Sequence, residues 1–220
     1  MTKRSTVVVL SLLALAPSLP AAEWEKWDGC RLGTAEYYDG DSFHVAKAGK
    51  DRIFRLYAVD TAETNDEFPE RVKEQQKYFR ATKAEVLAEG KKAEEFTRRL
   101  LQQPFTVETQ WIDAKGNSRQ QRYFGKITLS DGTDLAVRLV EAGLARSYGM
   151  REGLPGSYLA KLDRGEADAK RSRLGFWGGK SAAMPEDTEE PEPAPAAEED
   201  MTGAQSVFDQ LQRESATGLE

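Results

Sequence analysis

Residues 52–63 read RIFRLYAVDTAE, a run of β-forming residues that ends on two carboxylates. The run predicts a strand over Arg52–Val59, after which Asp60-Thr61-Ala62-Glu63 leaves as a loop. Loops held by a rigid strand are where function collects. Arg55 stands between Phe54 and Leu56, where a guanidinium snorkels, pairs with an acid or serves a site. Just upstream, Asp39-Gly40-Asp41 sets two carboxylates at i and i+2 of an extended segment, with Gly40 permitting the turn. Such carboxylates suit a hard cation such as Ca²⁺, although D-G-D is also an ordinary turn.

Working outward, four further strands are predicted: Thr34–Tyr38 before the Asp39 turn, Ser42–Val45 after it, Phe105–Trp111 behind Pro104, and Tyr123–Leu129 running into a Ser130-Asp131-Gly132 turn. Ala93, Phe96, Leu100 and Leu101 recur at i, i+3, i+7 and i+8, which predicts a helix over 84–101. Asp134–Leu144 predicts a short helix closed by Gly143, and residues 157–174 a charged helix with Tyr158, Leu162 and Ala169 turned inward. Five strands and about three packed α-helices describe an α+β chain built on a small OB-fold β-barrel. The charged segment 64–93 reads as a solvated insertion in preference to an extra helix that shapes substrate entry. His44 falls opposite Phe43 and Val45 and is assigned no role.

Composition bounds the chemistry. The 220 residues carry 31 Lys and Arg against 37 Asp and Glu, a net charge of −6, but residues 181–220 hold 11 acids and one Arg, so residues 23–180 are slightly basic at +2. One Cys excludes a disulfide framework and a multi-thiolate zinc site, and one His excludes His-cluster metal sites. The chemistry therefore falls to carboxylates, arginines and a hard cation. Lys3 and Arg4 before the apolar run Thr6–Ala16 predict a signal peptide over 1–22, hence an exported protein, periplasmic or secreted, with no stable membrane span after processing. Cys30 reads as a free or partly buried thiol. Residues 23–180 form the one globular domain, and 181–220 a disordered Pro/Ala/Glu-rich tail with a short helix over 205–213.

Taken in order, Asp39-Gly40-Asp41-Ser42, Phe54 to Glu63 (FRLYAVDTAE), Leu139 to Ala145 (LVEAGLA), and Glu166 to Lys170 with Gly175-Phe176-Trp177 resemble the thermonuclease family, typified by staphylococcal nuclease, over about residues 33–178. The resemblance implies a Ca²⁺-dependent nuclease that hydrolyses phosphodiester bonds of DNA and RNA, with single strands favoured, acting as a monomer. Position by position it implies that Asp41, Asp60 and the carbonyl of Thr61 ligate Ca²⁺, that Asp39 supports the acidic cluster, and that Glu63 activates or orients the attacking water. It further implies that Arg55 and Arg122 grip the phosphate and that Tyr148 lies near the nucleotide. Ala62 replaces the usual Pro and Ser42 the usual Thr. Gln120-Gln121 stand where the family commonly has Tyr-Gly, which leaves Lys126 or Arg119 as alternatives to Arg122. The competing reading is an OB module that binds nucleic acid or protein without chemistry; the joint presence of Asp41, Arg55, Asp60 and Glu63 argues against it.

Overall fold

Alternation of apolar and polar side chains builds the sheet, in a computed structural model that describes residues 23–34, 39–116 and 118–178. The predicted leader over 1–22, the tail over 181–220 and its helix over 205–213 lie outside the described residues, as do positions 35–38 of the first predicted strand. The first strand found, β1, is Glu25–Leu32, earlier than the sequence suggests. It turns Trp27 and Cys30 inward across an irregularity at Gly29, a spacing of three that hides the period of two. Cys30 is buried and free, its thiol donating to the Trp27 carbonyl at 3.2 Å.

Strands β2 (Ser42–Lys47) and β3 (Lys50–Leu56) form a hairpin, and the predicted run to Val59 breaks at Tyr57-Ala58 before a three-residue strand β4 (Val59–Thr61). With β5 (Phe105–Thr109) and β6 (Arg122–Thr128) the ring closes in the order β1-β2-β3-β6-β5. All pairings are antiparallel except β3 with β6, which run parallel with Ile53 opposite Arg122 and Arg55 opposite Phe124. Phe43, Val45, Phe54, Leu56, Val107 and Ile127 fill the barrel. The alternate positions Ser42, His44, Ile53, Arg55, Arg122 and Phe124 therefore share its outer face.

Among the described residues there are four α-helices, one more than the sequence predicts. Helix α1 (Pro69–Phe79) lies in the segment read as a solvated insertion, and that reading is corrected. Pro69 opens it, Glu70 favours its first turn, and Val72, Gln75 and Phe79 are buried at i, i+3 and i+7. Phe79 stacks on Phe176 with ring centroids 3.9 Å apart, so α1 belongs to a second small core with Ala62, Val72 and Val86. Helix α2 (Lys83–Leu100) starts at a capping box of Thr82 and Glu85. Helix α3 (Leu135–Glu141) is capped by Asp134, whose carboxylate accepts from the Val137 amide. Strand β7 (Ala145–Ser147) pairs with β4, and helix α4 (Gly156–Ser172) buries Leu162 and Ala169 as predicted.

Helix α2 is what joins the two acidic segments. Thr97 donates through its hydroxyl to the Gly40 carbonyl at 2.7 Å, and Ala93 lies so near Gly40 that any side chain there would meet it. One turn earlier, a Cβ on Gly90 would lie 2.2 Å from the Glu63 carbonyl oxygen. Gly90→Ala would gain about 1 kcal/mol of helix propensity against an overpacking cost of about 1–3 kcal/mol where rigid backbone must move. The expected outcome is a net fall in melting temperature, read by thermal denaturation, with Gly132→Ala, which meets nothing within 4 Å, showing only the strain of its positive φ.

Candidate active site

Pairing of β4 with β7 sets Asp60 directly opposite Arg146, on the same face of a two-stranded sheet. Both side chains are buried, and the Arg146 Nε donates to Asp60 Oδ2 at 3.0 Å. From β3, Arg55 reaches across with one nitrogen, Nη2, to both Asp41 Oδ2 at 2.9 Å and Asp60 Oδ1 at 2.8 Å. Asp41 Oδ2 also accepts from the Thr61 amide, which ties the Asp39-Gly40-Asp41 turn to the end of β4. Thus Asp39, Asp41, Arg55, Asp60, Thr61 and Glu63 converge, as the sequence predicts.

Helix α1 supplies residues that the sequence reading missed. Arg71 donates to Asp60 Oδ1 at 2.5 Å and to Glu63 Oε1 at 3.4 Å. Glu74 accepts both terminal nitrogens of Arg146 at 2.7 Å, a bidentate pair. Gln75 is wholly buried and bonds the backbone of the loop. Arg146 lies between the rings of Tyr78 and Tyr148, 4.5 and 4.0 Å from their centroids. The available signal was Pro69 ahead of Val72 and Phe79 at helical spacing, weakened by the polar residues between them.

Burial and crowding raise the proton affinity of three acids. Desolvation pushes the Asp39 carboxyl well above the usual carboxylate range, and neighbouring Asp41 adds to it while Arg55 opposes. Asp41 is raised by burial and by Asp60 against the pull of Arg55, and Glu63 by burial and Asp41 against Arg71. Burial works against the Arg55 charge, yet Asp41 and Asp60 outweigh it and move its pKa upward.

A cavity of about 590 Å³ opens over the outer face of β2, β3 and β6. Asp39, Arg55, Glu63 and Arg122 line it; Arg71 and Phe68 form one wall and the segment from Asp113 to Gln120 contributes the other. Arg122 donates to the Lys115 carbonyl at 3.1 Å and lies 3.4 Å from the Ser42 hydroxyl, while its buried Nε has no partner among the described residues. Lys126 is absent from the lining: it bonds Glu108 and sits over the Tyr158 ring. Arg119 does line the cavity. Tyr148, just after β7, is 47% exposed and packs on Arg146 outside the cavity lining. His44 lines the cavity and bonds Asp51 through Nδ1 at 2.6 Å.

The donor chemistry fits a hard divalent cation. The carboxylates of Asp39, Asp41, Asp60, Glu63 and Glu74 meet the guanidinia of Arg55, Arg71 and Arg146, a formal surplus of two negative charges. Every candidate ligand is an oxygen, as Ca²⁺ requires. Among the described residues no group of three or more His, Cys, Asp or Glu is gathered as a metal site.

A closed five-stranded barrel with acids and arginines clustered beside a cleft on its outer face is an OB-fold of the nuclease type. Residues 53–179 match the sequence profile described as staphylococcal nuclease homologue, and the chain belongs to that family. Membership suggests nuclease-like activity and nucleic-acid binding. No curated protein matches the chain. Among the described residues no helix is long and apolar enough to cross a membrane.

Because Arg146 is 1% exposed and bridges Asp60 to Glu74, Arg146→Met would remove the buried hydrogen bonds of both while Asp60 keeps Arg55 and Arg71. A loss of about 1–3 kcal/mol is expected, measured by denaturant unfolding; Arg151→Met, at an exposed pair with Asp163, should cost under about 1 kcal/mol.

Proposed function

We propose that this chain is an exported, Ca²⁺-dependent nuclease that hydrolyses phosphodiester bonds in DNA and RNA. One observation carries the reading: Arg55 lies on the cavity wall with Glu63 and Arg122 while bonding Asp41 and Asp60 behind it. Export is supported by the basic residues Lys3 and Arg4 ahead of the apolar run Thr6–Ala16. A two-walled cleft of this size suits an unstacked nucleotide better than the edge of a duplex, which supports a preference for single strands.

Asp41, Asp60 and the Thr61 carbonyl are the proposed ligands of Ca²⁺, which when bound supplies positive charge against the scissile phosphate. Glu63 holds the attacking water by accepting one of its protons. Arg71 keeps its side chain from swinging away. As the water oxygen bonds to phosphorus, its proton passes to Glu63; negative charge grows on the non-bridging oxygens, the ester bond breaks, and the leaving oxygen takes a proton from solvent. Arg55 and Arg122 face that charge from the cavity wall.

The test is cleavage of single-stranded DNA by the full chain with Ca²⁺ or with a chelator. Cleavage should require Ca²⁺, fall about 10²–10⁴-fold in Glu63→Gln and about 10²–10³-fold in Arg122→Ala, and change little in Lys126→Ala. A folded protein that binds the strand without cutting it would instead mark a barrel without chemistry.

A further inference from the structure

Gln75 has no place in the chemistry above, yet it is among the most buried polar side chains of the described residues. A glutamine on a solvated helix faces water. This one is turned inward, and its amide is satisfied by the loop that carries the proposed ligands and base. Its Oε1 accepts from the Glu63 amide at 2.9 Å, and its Nε2 donates to the Thr61 carbonyl at 2.9 Å and to Asp60 Oδ2 at 3.3 Å. Strand β4 ends at Thr61 and its ladder with β7 ends with it, so the backbone beyond has no strand to pair with. The Gln75 amide takes that place, one donor and one acceptor, as a neighbouring peptide would.

The helix that delivers it is fixed on both sides. Val72 and Phe79 bury into the second core, and Arg71 and Glu74 pair with Asp60, Glu63 and Arg146. Arg71, Glu74 and Gln75 sit at i, i+3 and i+4, one face of α1 laid on residues 60–63. A carbonyl oxygen has two lone pairs, so Thr61 can accept from Gln75 and retain one for another partner.

We propose that Gln75 is a positioning residue: it fixes the Asp60 and Thr61 oxygens and the start of Glu63, and so sets cation affinity and turnover together. The inference rests on the calcium reading above. Outer partners that hold metal ligands typically govern affinity about 10–100-fold.

The test is Tb³⁺ binding, as a luminescent probe for Ca²⁺, to the full chain without nucleic acid, beside steady-state cleavage. Gln75→Met keeps length and loses the amide; it should weaken Tb³⁺ binding at least about tenfold and lower kcat with little change in KM. Val107→Ala, which opens a cavity in the barrel on β5, away from α1 and the loop, should lower the melting temperature while leaving Tb³⁺ affinity unchanged. Gln75→Asn, whose amide is one methylene too short to reach, is the second variant should the first fail to fold, and the same loss is expected. Wild-type affinity in either Gln75 variant, or an equal loss in Val107→Ala, overturns the inference alone. A wild type that binds no Tb³⁺ overturns the calcium reading and this inference with it.

Discussion

The carboxylate of Asp60 is out of water and is shared by the guanidinia of Arg55, Arg71 and Arg146 and the amide of Gln75. A charge held there costs several kcal/mol unless it is fully partnered. Its partners come from β3, from α1 and from β7, so the barrel, the added helix and the small β4–β7 sheet all have to be in place at once. The same requirement explains the second core: the Phe79 stack on Phe176 brings α1 close enough for Arg71 and Gln75 to reach. Packing of apolar rings on one side of α1 thereby sets the hydrogen bonds on the other.

Much of this was legible. The resemblance to the thermonuclease family named Asp39, Asp41, Arg55, Asp60 and Glu63 as one site, and the structure gathers them. Strand β1 was not, because EKWDGCRL has three apolar residues and its inner face skips from Trp27 to Cys30. Helix α1 was misread for a related reason. Its buried face runs Val72, Gln75, Phe79, and a buried Gln is indistinguishable from a solvated one until the loop that satisfies it is known. Tertiary hydrogen bonding, rather than apolar periodicity, decides that helix.

The difference between Arg122 and Lys126 is one of register, which no single strand carries. Arg122, Phe124 and Lys126 alternate onto one face of β6, but only pairing shows what each faces. Parallel pairing sets Arg122 beside Ile53, over the cavity. Antiparallel pairing sets Lys126 opposite Glu108, which neutralises it there.

The charge of the cleft then bears on what binds first. Arg55, Arg71, Arg119 and Arg122 line it together with Asp39, Glu63, Glu67 and Asp113, a formally neutral wall, with Asp41 and Asp60 close behind. A neutral wall backed by surplus carboxylates gives a polyanion little reason to settle, and residues 23–180 as a whole carry only +2. Arg55 is moreover drawn back toward Asp41 and Asp60, which limits what it can offer a phosphate. On the proposed reading, neutralising those two carboxylates removes the repulsion and loosens the hold on Arg55 in one step. On that reading Asp41 and Asp60 make cation binding a condition of gripping the substrate as well as of cutting it.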